Sequence, residues 1–286
     1  MPRRVALVVN RSKPEAQALE PIVREAIEAH GVLSGIVNID EIAGACGDAD
    51  ALVVIGGDGT LLTTARSCLG TATPVIGVNA GRLGFMAAYD AETFVQDAPR
   101  LLDAGEPLRT LPIPTLFAAV RSGDAETWKS EALNEFVVTA GPPYRMISLA
   151  LNFDGVEGPM VNGDGLIVST PLGSTAYNVS AGGPIAAPGS AGMIVTPIAA
   201  HSLAFRPLVV ASDTLVEIDL IRGNESDADG GTRLVADGQV STALMTGDRV
   251  SICATGRAAH FVVNPRGSYW RTLVEKMGWG AAPGQR

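Results

Sequence analysis

The stretch ALVVIGGDGTLL, residues 51–62, decides the fold. Ala51 to Ile55 form a short apolar run that ends at glycine, which predicts a buried strand. Gly56, Gly57 and Gly59 then surround Asp58, and LLTTARSCL follows with helical spacing. Strand, glycine-rich turn and helix together make a geometry for approaching phosphate. Without Cβ atoms, backbone amides and the helix N-terminus can face an anion. Gly56, Gly57, Gly59 and Thr60 are therefore the candidate phosphate-donor loop. An Asp held there would repel phosphate, so its chemistry is to take a proton from an attacking hydroxyl or to help hold Mg²⁺. The simpler alternative is a tight turn in which Asp58 caps the helix.

Working outward, residues 3–9 (RRVALVV) predict a buried strand, and Ser12-Lys13-Pro14 predicts a capped helix that runs to Gly31. Further strands are expected at 33–38 and 74–79, and a helix from 90 to Gly105. Strands alternating with helices indicate a parallel Rossmann-like sheet. From residue 108 to about 264 the pattern changes to short apolar or alternating runs separated by turn signals, as in a β-sandwich. The expected fold class is thus α/β plus mainly β. The expected domains are 1–107, carrying GGDGT, then 108–264, then a C-terminal helix in 265–286 that packs back on the first domain. Residues 223–231, glycine-rich and acidic, read as a flexible loop.

Composition bounds the function. Of 286 residues, 47% are hydrophobic and 18% charged, which provides ample core and excludes disorder. The net charge of −9 argues against nucleic acid or an anionic membrane as a partner. No apolar run is long enough to span a membrane, and the N-terminal apolar run is too brief for a signal peptide. Cys46, Cys68 and Cys253 are widely spaced, so no disulfide framework is expected and a reducing cytoplasm fits. No lysine follows a glycine, which excludes a P-loop, and neither GxGxxG, GxSxG nor HExxH occurs. Any phosphate must be handled by amides, arginines, hydroxyls and a metal.

The GGDGT stretch resembles the signature shared by NAD kinases, diacylglycerol and sphingosine kinases, and phosphofructokinases. By itself it implies phosphoryl transfer to a hydroxyl. The second half narrows the acceptor. Ala132-Leu133-Asn134-Glu135, read as part of a strand, precedes DGLIVSTPLGSTAYNVSAGGPI at 164–185, which is similar to the motif of the NAD kinase family. PVIGVNAGRLGF at 74–85, TPIAAHSLAFRPLVV at 196–210 and Asp237-Gly238-Gln239 follow the same family in order.

The resemblance implies an enzyme that transfers a phosphoryl group from ATP or polyphosphate to the adenosine-ribose 2′-hydroxyl of NAD, giving NADP. Asp58 matches the proton acceptor. Asp58, Gly59, Asn134, Glu135, Arg145, Asp164, Thr175, Ala176, Tyr177, Asn178, Val179, Ser180 and Gln239 match nucleotide-contacting positions. The residue chemistry suits these roles. Asn134 offers a donor and an acceptor to an adenine edge, Glu135 can accept from ribose hydroxyls, and Tyr177 presents an aromatic face. Arg145, expected on the following strand, is the nearest cation for a phosphate. Mg²⁺ is expected to travel with the nucleotide, with no protein metal cluster. NAD is expected between the two domains of a homo-oligomer, either a dimer or a tetramer. The chain departs from the family pattern at Leu172, Asn162, Met86 and Thr63, which trims polar and positive contacts. Two alternatives remain: a kinase of the same superfamily acting on a polyol, sugar or lipid hydroxyl, and a non-catalytic NAD(P) sensor.

Overall fold

The computed structural model describes residues 1–81, 84–225 and 230–280. Residues 226–229 of the expected flexible loop, and Arg82 and Leu83 of the 74–85 motif, lie outside the described residues. The chain forms two units, one of Met1–Pro112 with the described residues from Ala258 onward, the other Ile113–Arg257.

The first unit begins with β1 (Arg4–Val9), α1 (Pro14–His30), β2 (Val32–Asn38), β3 (Ala51–Gly56), α2 (Asp58–Ser67), β4 (Val75–Asn79) and α3 (Ala91–Leu101). The strands pair in parallel in the order β2-β1-β3-β4, with Val53 opposite Leu7 on one side and Ile76 on the other. β3 is buried along its whole length, as a parallel strand covered on both faces must be. Phe94, Leu101 and Leu102 pack against Val5, Leu7 and Ile76 in its core. Proline at the first position of α1 starts that helix without the expected side-chain cap. Lys13 is the N-cap and makes no such bond, because Ser12 Oγ donates to Asn10 Oδ1 instead. α3 carries a full capping box between Asp90 and Thr93.

One expectation from the cysteines is overturned. Cys46, after the 3₁₀ turn Ile39–Gly44, and Cys68, which caps the end of α2, form a disulfide with Cα atoms 5.4 Å apart. Their separation of 22 positions disappears when η-turn and helix pack side by side, so spacing along the chain did not reveal it. The argument from unpaired cysteines for a reducing compartment falls with it.

The second unit holds the remaining strands: β5 (Thr110–Ser122), β6 (Ala125–Ala132), β7 (Glu135–Thr139), β8 (Ile147–Phe153), β9 (Val156–Gly163), β10 (Gly165–Ser169), β11 (Met193–Ile198), β12 (Leu208–Val210), β13 (Val216–Arg222), β14 (Arg233–Ala236), β15 (Val240–Ala243) and β16 (Arg249–Val262). A single helical turn, α4 (Tyr177–Ser180), lies between β10 and β11. One antiparallel sheet runs β12-β11-β10-β7-β14-β15, and β16, β13, β8 and β9 pair in another. Inward residues of both, such as Phe136, Leu166, Leu149 and Ile218, form one core. This is the β-sandwich. The last residues of β16 return to the first unit, where Phe261 pairs with Val75, and α5 (Tyr269–Met277) follows. No helix of the described residues is long and apolar enough to cross a membrane.

Candidate functional site

In the first unit, the decisive stretch folds as a strand that turns into a helix within one residue. Gly57 is the N-cap of α2 and Asp58 opens its first turn. The Asp58 carboxylate does not cap its own helix. Its Oδ2 accepts from the Phe85 N–H and its Oδ1 from the Met86 N–H, each at 3.0 Å. Lys276 Nζ, on α5, donates to Oδ2 at 3.0 Å. A Cβ on Gly84 would fall 2.2 Å from Oδ1, so the carboxylate fits there because residue 84 is glycine. Gly57 and Gly59 face open space and leave the backbone accessible, whereas Gly56 makes room for Thr60, whose Oγ1 would lie 2.6 Å from an added Cβ. Thr60 is buried and its hydroxyl accepts from Asn10 Nδ2 at 3.3 Å, so the fold absorbs that side chain.

In the second unit, Leu133 and Asn134 form a bend between β6 and β7, which corrects the expectation that this segment is strand throughout. The bend is held by Asp237, which sits in the left-handed region at φ 52°. Its carboxylate accepts from the amides of Leu133 at 3.0 Å, Asn134 at 2.7 Å and Glu135 at 3.1 Å. The Asn134 carbonyl accepts from Thr170 N–H at 2.8 Å and Ser169 Oγ at 3.2 Å. Its backbone is thus pinned on both sides, with the side chain half-buried. Glu135 is 5% exposed, and its Oε2 is buried without a partner. Burial, reinforced by the negative charge of Asp237 and opposed by a hydrogen bond from the Tyr177 amide, pushes its pKa up to about 8.

The segment from Gly173 to Pro184 folds around one strut. Asn178 is fully buried, donates to the carbonyls of Ser174 and Pro184, and accepts from Thr196 Oγ1 at 2.7 Å. A Cβ on Gly183 would fall 2.0 Å from its Oδ1. With the strut in place, Tyr177 stands 45% exposed at the start of α4.

The profile of the ATP-NAD kinase N-terminal domain matches residues 39–106, and that of the ATP-NAD kinase C-terminal domain matches 133–264. The NAD kinase of Wolinella succinogenes is 35% identical over 294 residues, covering 98% of this chain and 96% of the relative. The chain belongs to the NAD kinase family. The NAD kinase of Syntrophobacter fumaroxidans is 34% identical over 98% of this chain and 100% of its own. Among solved structures, an NAD kinase from Archaeoglobus fulgidus in complex with ATP shares 28% identity and a TM-score of 0.74, covering 96% of this chain and 98% of the other. Yeast NADH kinase complexed with NADH has the same fold, with a TM-score of 0.80 at 21% identity over 99% of this chain and 89% of the other.

Of the nucleotide-contacting positions implied by the NAD kinase pattern, the second unit brings Asn134, Glu135 and Tyr177 together, through the bond from the Tyr177 amide to Glu135. Arg145 lies on the loop between β7 and β8, not on a strand. It lines a cleft of about 540 Å³ with Met146, Arg222 and Glu225, and its carbonyl accepts from Asn224 at 2.8 Å. Asp164 is exposed at the bend between β9 and β10, and Gln239 is exposed beyond β14. The departures from the family pattern have local explanations. Leu172 is buried, the Asn162 amide oxygen accepts from Ser148 at 2.7 Å, and Thr63 Oγ1 donates to the Gly59 carbonyl at 3.0 Å. Asp237 reads in sequence as a motif residue before a glycine, a turn signal; that its carboxylate caps three amides about a hundred positions away is decided by tertiary packing.

Proposed function

We infer that this chain is an NAD kinase, transferring the terminal phosphoryl group of ATP to the adenosine-ribose 2′-hydroxyl of NAD. The observation that carries the reading is the Asp58 carboxylate. The amides of residues 85 and 86 hold it beside two open glycines at the N-terminus of α2, with about a third of its side chain exposed. A carboxylate so placed can accept the hydroxyl proton as the new O–P bond forms and the bridging P–O bond to ADP breaks. The amides at Gly57 and Gly59 can face the donor phosphates. Asn134 reads an adenine edge. Glu135, neutral at pH 7 with a pKa of about 8, can donate as well as accept toward a ribose hydroxyl. Arg145, Asp164, the 175–180 segment and Gln239 complete the nucleotide contacts.

Magnesium would arrive on ATP as part of the substrate, with the ion held chiefly by phosphate oxygens. Self-association is supported by exposed apolar side chains of the second unit, among them Leu203, Val209 and Met160, each at least half exposed. A cytoplasmic location is consistent with the consumption of ATP and NAD.

The purified chain with MgATP and NAD should form NADP, read by an NADP-specific dehydrogenase. Parallel reactions with polyphosphate as donor and NADH as acceptor assign those preferences. Asp58→Asn should abolish turnover and retain NAD binding by calorimetry. Equal turnover in that variant would remove Asp58 from the mechanism.

A further inference from the structure

Helix α5 lies outside the two segments matched by the domain profiles, and it carries Lys276 to the Asp58 carboxylate. Its placement has support beyond that one contact. Tyr269 packs on Phe85 with ring centroids 6.0 Å apart, and Leu273 is buried. The Lys276 ammonium also sits 4.6 Å from the centre of the Phe85 ring, a cation–π distance. An ion pair this exposed contributes little to folding stability. Its position beside a reacting carboxylate is what gives it weight.

A carboxylate has about four lone-pair sites. At Asp58 the amides of Phe85 and Met86 and the Lys276 ammonium account for three, which leaves room for an incoming hydroxyl. A hydroxyl that gives its proton to Asp58 must come within about 3 Å of it, and the reacting phosphorus must lie about 3–3.5 Å beyond. The ammonium is therefore within one side chain's swing of the phosphoryl group in transit. The charge on that group is spread over its three equatorial oxygens. Lysine has three donors and a flexible stem, so it can keep one bond to Asp58 while another turns to phosphate.

Resting on the NAD kinase reading above, we propose that Lys276 is a phosphate-contacting catalytic cation. Without nucleotide it holds Asp58, and in the reaction it donates to the terminal phosphoryl group of ATP. The hydroxyl proton goes to Asp58, the bridging P–O bond to ADP breaks, and Lys276 keeps its own proton, supplying charge only.

The test compares wild type, K276M and K276R in steady-state NADP formation, alongside calorimetric binding of MgATP and MgADP. Thermal melting checks that each variant folds, with K276Q as a substitute should the Met variant misfold. K276M should lose roughly 10²-fold in kcat with the KM for NAD almost unchanged. It should also bind ATP more weakly while binding ADP as wild type does, and K276R should recover most of both losses. Unchanged kcat together with unchanged ATP affinity overturns the proposal. A raised kcat overturns it too, and marks Lys276 as a latch on Asp58. Wild type that makes no NADP defeats the NAD kinase reading, and the two binding measurements then still decide the Lys276 contact.

Discussion

Asp58 and Glu135 are both carboxylates in nucleotide-kinase motifs, and their surroundings push them toward different work. Asp58 has two amides and an ammonium around it, and about a third of its side chain is exposed. Glu135 is buried, has one oxygen without a partner, and faces the charge of Asp237. The consequence for stability follows from linkage. Its folded pKa of about 8 lies above the ordinary 4.5, so the native state holds the proton more tightly. That contribution is fully present below 4.5 and is lost as pH rises through 8. Measured by urea melts, the wild type should lose stability relative to Glu135→Gln between those values, at no more than about 1.4 kcal/mol per pH unit. Parallel pH profiles of the two proteins would show that Glu135 ionises normally. The residue types at both sites were legible in the sequence. Which carboxylate is fully paired and which keeps one oxygen without a partner was not, because the groups around them lie far away along the chain: residues 85, 86 and 276 for Asp58, and 177 and 237 for Glu135.

At the scale of elements, the short β-strands and the strand–turn–helix at 51–67 follow from local pattern, and the boundaries follow from tertiary bonds. β3 runs through Gly56 and α2 takes Asp58, Gly59 and Thr60 into its first turn, so the glycine-rich turn reduces to Gly57 alone. The 132–135 segment breaks at Leu133 and Asn134 because Asp237 supplies acceptors for three successive amides. A strand would have left those amides to a neighbour. The Cys46–Cys68 disulfide ties the 3₁₀ turn Ile39–Gly44 to the C-terminal end of α2 across 22 positions. By loop-closure entropy a crosslink of that span stabilises by about 3 kcal/mol. Reductant, or Cys46→Ser, should lower the melting temperature of the oxidised protein by several degrees. A melting curve indifferent to reductant would show that the bond is not formed.

At the scale of the molecule, the two units differ in how they are built from the chain. The second is continuous, and its core residues all fall between Leu116 and Ile252. The first is discontinuous. Its core includes Val262, and Phe261 pairs beside β4, so residues 1–112 alone would leave a parallel strand edge uncovered. Expressed separately, 113–257 should melt cooperatively by circular dichroism, whereas 1–112 should aggregate or melt without a transition. A cooperative transition for 1–112 would show that the returning strand and α5 are dispensable. What the sequence determined by itself was the class of each half, the glycine-rich strand–turn–helix and the family. These rest on hydrophobic period, glycine placement and ordered motifs, all of which are local. Only the tertiary structure decided that Asp58 is held by the amides of residues 85 and 86 and by Lys276, that Asp237 shapes the bend at Asn134, and that Cys46 meets Cys68. Each of those joins residues 22 to 218 positions apart. A hydrogen bond, an ion pair and a disulfide form through space, and chain spacing carries no record of which distant groups the packing of the core brings within reach.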